Sequence, residues 1–140
     1  MVPAASVIAQ RIETKVWPLY KHTGNRRLLA KNDICLIYAA GKPVGKHGAQ
    51  AFFGSVLVTD IRMPGRRALE APYYEEPPAT LLEFKVRELY IPLVEIRPLL
   101  DNLSFVPKDR SRWGAALRGG CRRISKADFN TIEQCFKKAT

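Results

Sequence analysis

Three strand-length apolar runs between Ile34 and Val86 constrain the fold of this chain more than any other feature. Ile34-Cys35-Leu36-Ile37-Tyr38 is a continuous apolar run of strand length, and it must be buried. Phe52–Ile61 (FFGSVLVTDI) is a second core strand, and Gly54 inside it marks a bulge or a close approach of another backbone. In the third run Leu82, Phe84 and Val86 alternate with Glu83, Lys85 and Arg87, the period-two pattern of a half-buried strand. Leu89–Val94 continues it, with Pro92 implying an edge or a bend. Between the first two runs, Ala39–Ala51 (AAGKPVGKHGAQA) carries three glycines and a proline and reads as a long hairpin loop. No Lys-Ser/Thr pair follows its last glycine, so it is not a Walker phosphate loop.

Helical patterns flank the strands. Pro3–Glu13 reads as a short helix with Val7, Ile8 and Ile12 on one face, and Pro18 forces extended backbone before it, over Thr14–Trp17. Lys21–Arg27 is an exposed polar loop, and Lys31-Asn32-Asp33 is a tight turn into the first core strand. Arg62–Ala79 is a Pro-rich, charged loop, Arg97–Leu103 a short helical turn, and Ser104-Phe105-Val106 a last strand. Ser125 opens the final helix in a capping-box arrangement with Asp128 reaching back, and Phe129, Ile132 and Phe136 dock that helix on the core. The chain has 140 residues, enough for one domain with a real core and too few for two of ordinary size. The expected fold is a single α+β domain over residues 1–140: a small, mixed, strongly bent β sheet closed by helices into a pseudo-barrel.

Charge narrows the partners. With 23 Lys+Arg against 13 Asp+Glu the chain carries +10, an excess that favours polyanions, nucleic acid first and anionic membrane surfaces second. No apolar run approaches spanning length, so no membrane partner is expected. Cys35, Cys121 and Cys135 are odd in number and lack CxxC spacing; they read as reduced thiols of a cytoplasmic protein, without a disulfide framework or zinc site. His22 and His47 both sit in polar, Gly-containing loops among cations, and no His/Cys/carboxylate cluster is visible. Glu70, Glu75 and Glu76 lack the arrangement that general acid–base work needs, so no catalytic residue, metal or cofactor is expected.

What remains is binding chemistry. Trp17, with Pro18 beside it, either closes the core beneath the first helix or walls a pocket in which a flat base stacks. Tyr73 and Tyr74 are adjacent in a charged, Pro-rich loop where two tyrosines are hard to bury together. Two basic windows, 21–31 and 108–123, flank the sheet, with Lys21, Arg26, Arg27 and Lys31 in the first and Arg110, Arg112 and Arg118 in the second. Each window is either a solvated face or part of a joint phosphate-contacting surface. Trp113, between the arginines of the second window, reads as structural.

The order of these features resembles an EVE domain. Trp17, a basic loop, Lys31-Asn32-Asp33 before a strand ending in Tyr38, and Phe52-Phe53-Gly54 opening the next strand carry the first half of the resemblance. The Phe84-Lys85-Val86 strand, Ser104-Phe105-Val106, Arg112-Trp113, and Arg123-Ile124-Ser125 before Asp128-Phe129 and Ile132 carry the second. It runs from about Ile12 to Glu133, with two departures: the family's first strand is degenerate or missing at Met1–Ser6, and its Gly-Asp turn is Asn32-Asp33. The resemblance implies a PUA-like pseudo-barrel, related to YTH and ASCH domains, that reads a modified base in DNA or RNA. By that likeness Trp17 matches the tryptophan of an aromatic cage, and Tyr73 or Tyr74 supplies the opposing wall. The implied partner is nucleic acid carrying a methylated or otherwise modified base. The alternative is an accessory domain that docks on a protein partner or a larger parent chain without reading a base; a hydrolase or transferase without a visible motif is a third reading.

Overall fold

The structure, a computed structural model, describes residues 4–39, 50–66, 76–107, 117 and 120–139. Helix α1 (Ala4–Thr14) leads into strand β1 (Val16–Leu19) through Lys15, whose φ of 60° and N–H bond to the Arg11 carbonyl (2.8 Å) end the helix in the left-handed conformation. A 3₁₀ turn at Arg26–Leu28 precedes β2 (Ile34–Ala39), followed by the long strands β3 (Ala51–Arg62) and β4 (Thr80–Glu95). A second 3₁₀ turn (Arg97–Asn102) and helix α2 (Lys126–Ala139) complete the described elements. No helix among the described residues is long and apolar enough to cross a membrane.

The four strands form one sheet in the order β1-β4-β3-β2, with every pair antiparallel, curled into half a barrel. The expectation of a mixed sheet is corrected: β2, β3 and β4 follow one another in the chain and pair antiparallel, and β1 adds antiparallel to the free edge of β4, so the described residues contain no parallel pair. Bending is local and has causes. β3 and β4 shift register three times, and near Pro92 Phe53 alone stands opposite the stretch Tyr90–Leu93. At Gly54 the two backbones approach closely: a Cβ there would sit on the Glu88 carbonyl oxygen and 3.1 Å from the Leu89 Cα. The alternative of a close backbone approach, read from that glycine, is what the fold uses, within a bulged register.

Helix α2 seals one end of the interior. Ile132 on α2 is wholly buried against Phe52, Tyr90, Val94, Ile96, Leu99, Leu103 and Val106. Tyr90 stacks obliquely on Phe136 at 4.8 Å, and Arg87 reaches from β4 to Glu133 at 3.3 Å. Ser125 caps the helix by accepting the Asp128 N–H (3.1 Å), but the Asp128 carboxylate does not reach back as a capping box would. It accepts instead from the Ser104 N–H (2.9 Å) and the Ser104 hydroxyl (2.6 Å). Burial alone would raise its pKa; these bonds, with Ser125 and the Phe105 N–H, outweigh it and hold the carboxyl below its ordinary value.

The same bond explains a second correction. Ser104-Phe105-Val106 is a turn, not a strand, because the Ser104 N–H goes to Asp128 and the Val106 N–H to the Leu103 carbonyl (3.4 Å), leaving no ladder donors. β2 is also less buried than its apolar sequence predicts. It is one of the two edge strands, and Ile34 at its start is 49 % exposed.

Candidate functional site

One face of the sheet is traced by its pairing. Trp17 pairs with Leu82, Phe84 with Val58, and Cys35 with Val56, so these side chains share a side that runs from β1 across β4 and β3 to β2. Pro18 is the neighbour of Trp17 with its side chain on the opposite side. It is tolerated because β1 is an edge strand, where its missing N–H breaks no ladder.

Over this face lies a half-open cavity of about 790 Å³. Its floor is Trp17, Leu19, Leu82, Phe84, Val56, Cys35 and Ile37. Leu28, Leu29 and Asp33 form one wall, Gly120–Ile124 another, and Tyr38, Phe105 and Phe129 extend it toward α2. Trp17 is half-buried, packed against the clusters around Phe84 and around Leu82, yet part of the cavity surface. Trp17 therefore has contacts of both kinds, with the core and with the cavity.

The walls are built by turns. In the first, the Tyr20 N–H donates to Thr23 Oγ1 (2.9 Å), Asn25 takes φ 58°, and the Leu28 N–H closes on the Asn25 carbonyl. The Lys31-Asn32-Asp33 turn is as expected: Asn32 has φ 76°, its N–H donates to the Val58 carbonyl, and Val58 N–H donates back to the Asp33 carbonyl. The second wall is held to the first by Asn25 Nδ2 donating to the Cys121 carbonyl (3.0 Å) and by Cys121 N–H donating to the Gly24 carbonyl (2.9 Å). Gly120 permits this approach. Its φ is 100°, and a Cβ would lie 2.7 Å from the Gly24 carbonyl oxygen.

That stitch brings the described end of the second basic window, at Cys121, against the first. Lys21, Arg27 and Lys31 are exposed and Arg26 is half-buried on the first, while Arg122 and Arg123 on the second line the cavity itself. The Arg122 guanidinium lies over the Phe105 ring at 5.7 Å. These two arginines, with Cys121, Phe105, Phe129 and Tyr38, are cavity residues that the candidate set from sequence does not contain. Arg122 and Arg123 carried a signal, since they end the most basic window; the rest carried none. Lys21, Arg26, Arg27 and Lys31 ring the first wall without lining the cavity, and Pro18 does not line it either. Tyr73, Tyr74, Arg110, Arg112, Arg118, Trp113 and His47 lie outside the described residues.

The thiols and the phenol on the lining are held in their neutral forms. Burial, with Asp33 and Cys121 adding, pushes the Cys35 thiol up to about 11, and burial raises Cys121 as well. Burial also pushes the Tyr38 hydroxyl up to about 12, with Arg97 pulling the other way. All three cysteines are free thiols, and no group of three or more His, Cys, Asp or Glu among the described residues could hold a metal ion. His22 is exposed in the first basic turn. The arrangement can hold a flat apolar group against a tryptophan while arginines meet an anion at its rim; a proton-transfer constellation is not assembled among the described residues. No family model matches the chain, and no curated protein matches it.

Proposed function

We propose that the chain is a non-catalytic nucleic-acid-binding domain that takes one modified base, turned out of its strand, into the cavity beside Trp17. The observation that carries this reading is the pairing of a 790 Å³ apolar cavity, walled by Trp17, with Arg122 and Arg123 on its lining. The volume falls within the roughly 300–1,000 Å³ of small-molecule sites. A base in it is stacked on one face, while its phosphates meet the arginines and the exposed Lys21, Arg27 and Lys31 of the adjoining turn. Turning a base out costs a few kcal/mol, which stacking and backbone contacts offset. A curled antiparallel sheet with flanking helices is also what a PUA-like pseudo-barrel of the EVE kind would present, and membership of that family is part of the proposal. The test is a binding screen over modified and unmodified single-stranded and duplex oligonucleotides at two salt concentrations. Binding that weakens with salt and favours one modified base is expected; no binding at low salt removes the reading.

A second reading, a protein-docking module, has one observation in its favour. Beyond Glu83, β4 has no strand on its β1 side among the described residues, and Leu89 and Ile91 there are 40 % and 76 % exposed.

A further inference from the structure

Asp33 is the only carboxylate on the described lining of an otherwise apolar and cationic cavity. Its position is over-determined. The Ala30 N–H donates to Oδ2 (2.8 Å), the Asp33 N–H donates to the Ala30 carbonyl (3.1 Å), and its own carbonyl accepts from Val58 N–H (2.9 Å). The turn uses only one of the two carboxylate oxygens. Among the described residues no hydrogen bond reaches Oδ1, and no salt bridge involves Asp33. The carboxylate of this half-buried residue is anchored by the backbone through one oxygen, and the other, engaged by no described donor, is an acceptor that an occupant of the cavity can meet.

We propose that Asp33 is the specificity-determining residue of the cavity, accepting an N–H from the occupant and so selecting bases that present an amino group over bases that present a carbonyl at the same place. This rests on the base-binding reading and deepens it. Adenine and cytosine edges carry an amino donor, whereas thymine and uracil put a carbonyl oxygen there, which would face the carboxylate lone pairs. A singly alkylated amino group keeps one N–H and is accepted; a doubly alkylated one has none and is rejected. The bland role of Asp33, bracing the turn through Oδ2, is preserved by asparagine, whose carbonyl oxygen can take the Ala30 N–H. Its amide NH₂ then replaces Oδ1, turning an acceptor into a donor.

The test uses the full chain and two probe pairs in one single-stranded context: 5-methylcytosine against the near-isosteric thymine, and N6-methyladenine against N6,N6-dimethyladenine. The wild type is expected to prefer the member of each pair whose exocyclic group keeps an N–H by roughly 10- to 100-fold, the scale of a hydrogen bond to a charged group. Asp33→Asn is expected to keep the melting temperature and to erase or reverse the 5-methylcytosine preference. Wild-type binding of both pairs without discrimination overturns the role of Asp33 and leaves the base-binding reading standing. Discrimination that Asp33→Asn leaves unchanged does the same. Failure of all four probes to bind overturns both. The wild-type series needs no variant, so a folding defect in Asp33→Asn does not shelter the proposal.

Discussion

Beneath α2 the sheet is sealed, with Tyr90 and Ile132 almost wholly buried; beneath the Gly120–Ile124 segment the same sheet leaves a cavity of about 790 Å³. The difference lies in how each cover is attached. Helix α2 brings its own apolar face, a capped N-terminus and a carboxylate bonded into the Ser104 turn. The 120–124 segment is irregular, and it meets the first wall through main-chain contacts at Gly24 and Cys121 and the Asn25 amide. A helix fills the space it covers with side chains; a strap held by its backbone spans the space and leaves it open. One end is therefore filled and the other stays open.

The sharpest attempt to break this contrast is a pair of truncations. Ile132→Ala should cost about 2–5 kcal/mol, since it empties a fully buried position, and a thermal melt should fall accordingly. Trp17→Ala should lower stability less, because the ring is only half-buried, but should weaken binding of the preferred oligonucleotide by roughly 10- to 100-fold, the worth of one stacked base. A Trp17→Ala protein that melts as low as Ile132→Ala, with selectivity retained in the fraction still folded, would make Trp17 a core residue and erase the distinction.

Asp128→Asn probes the sealed end with a pH signature. The folded carboxyl titrates below its ordinary value, so its stabilisation is present above the unfolded pKa of about 3.9 and is lost as pH falls through the lower folded value. The wild type should exceed the variant by about 1–3 kcal/mol at pH 7, and the gap should close below about pH 4. Denaturant melts of both proteins across that range check the sign; a gap that widens in acid would refute the assignment.

The smallest effect is expected at the rim. Arg123→Ala should leave the melt unchanged and reduce the dependence of log affinity on log salt by about one contact's worth. Affinity lost equally at every salt concentration would mean that the arginine meets something other than phosphate.

The strands were legible because burial of a pleated face writes itself into alternation, as at Leu82-Glu83-Phe84-Lys85-Val86, and the special role of Gly54 was legible because a glycine in a core strand asks for a reason. Asp128 was misread for the opposite cause. Its spacing from Ser125 fits a local cap, but Ser104 competes from 24 residues away and wins both carboxylate oxygens. Trp17 was found by its type. Arg122, Arg123 and Cys121 escaped as cavity residues because their place depends on Gly120 meeting Gly24, a contact with no local pattern.

That contact also sets an order of events. Asn25 and Cys121 are 96 residues apart, and closing a loop of that length is entropically unfavourable until intervening structure has shortened the effective path. The β3–β4 pairing does so by drawing the intervening chain into one sheet. On that ground the strap should be among the last parts to settle in folding and among the first to open in the native protein. Amide exchange at Cys121 should accordingly report on access to the cavity, while exchange at Val58, in the middle of the sheet, reports on the whole molecule.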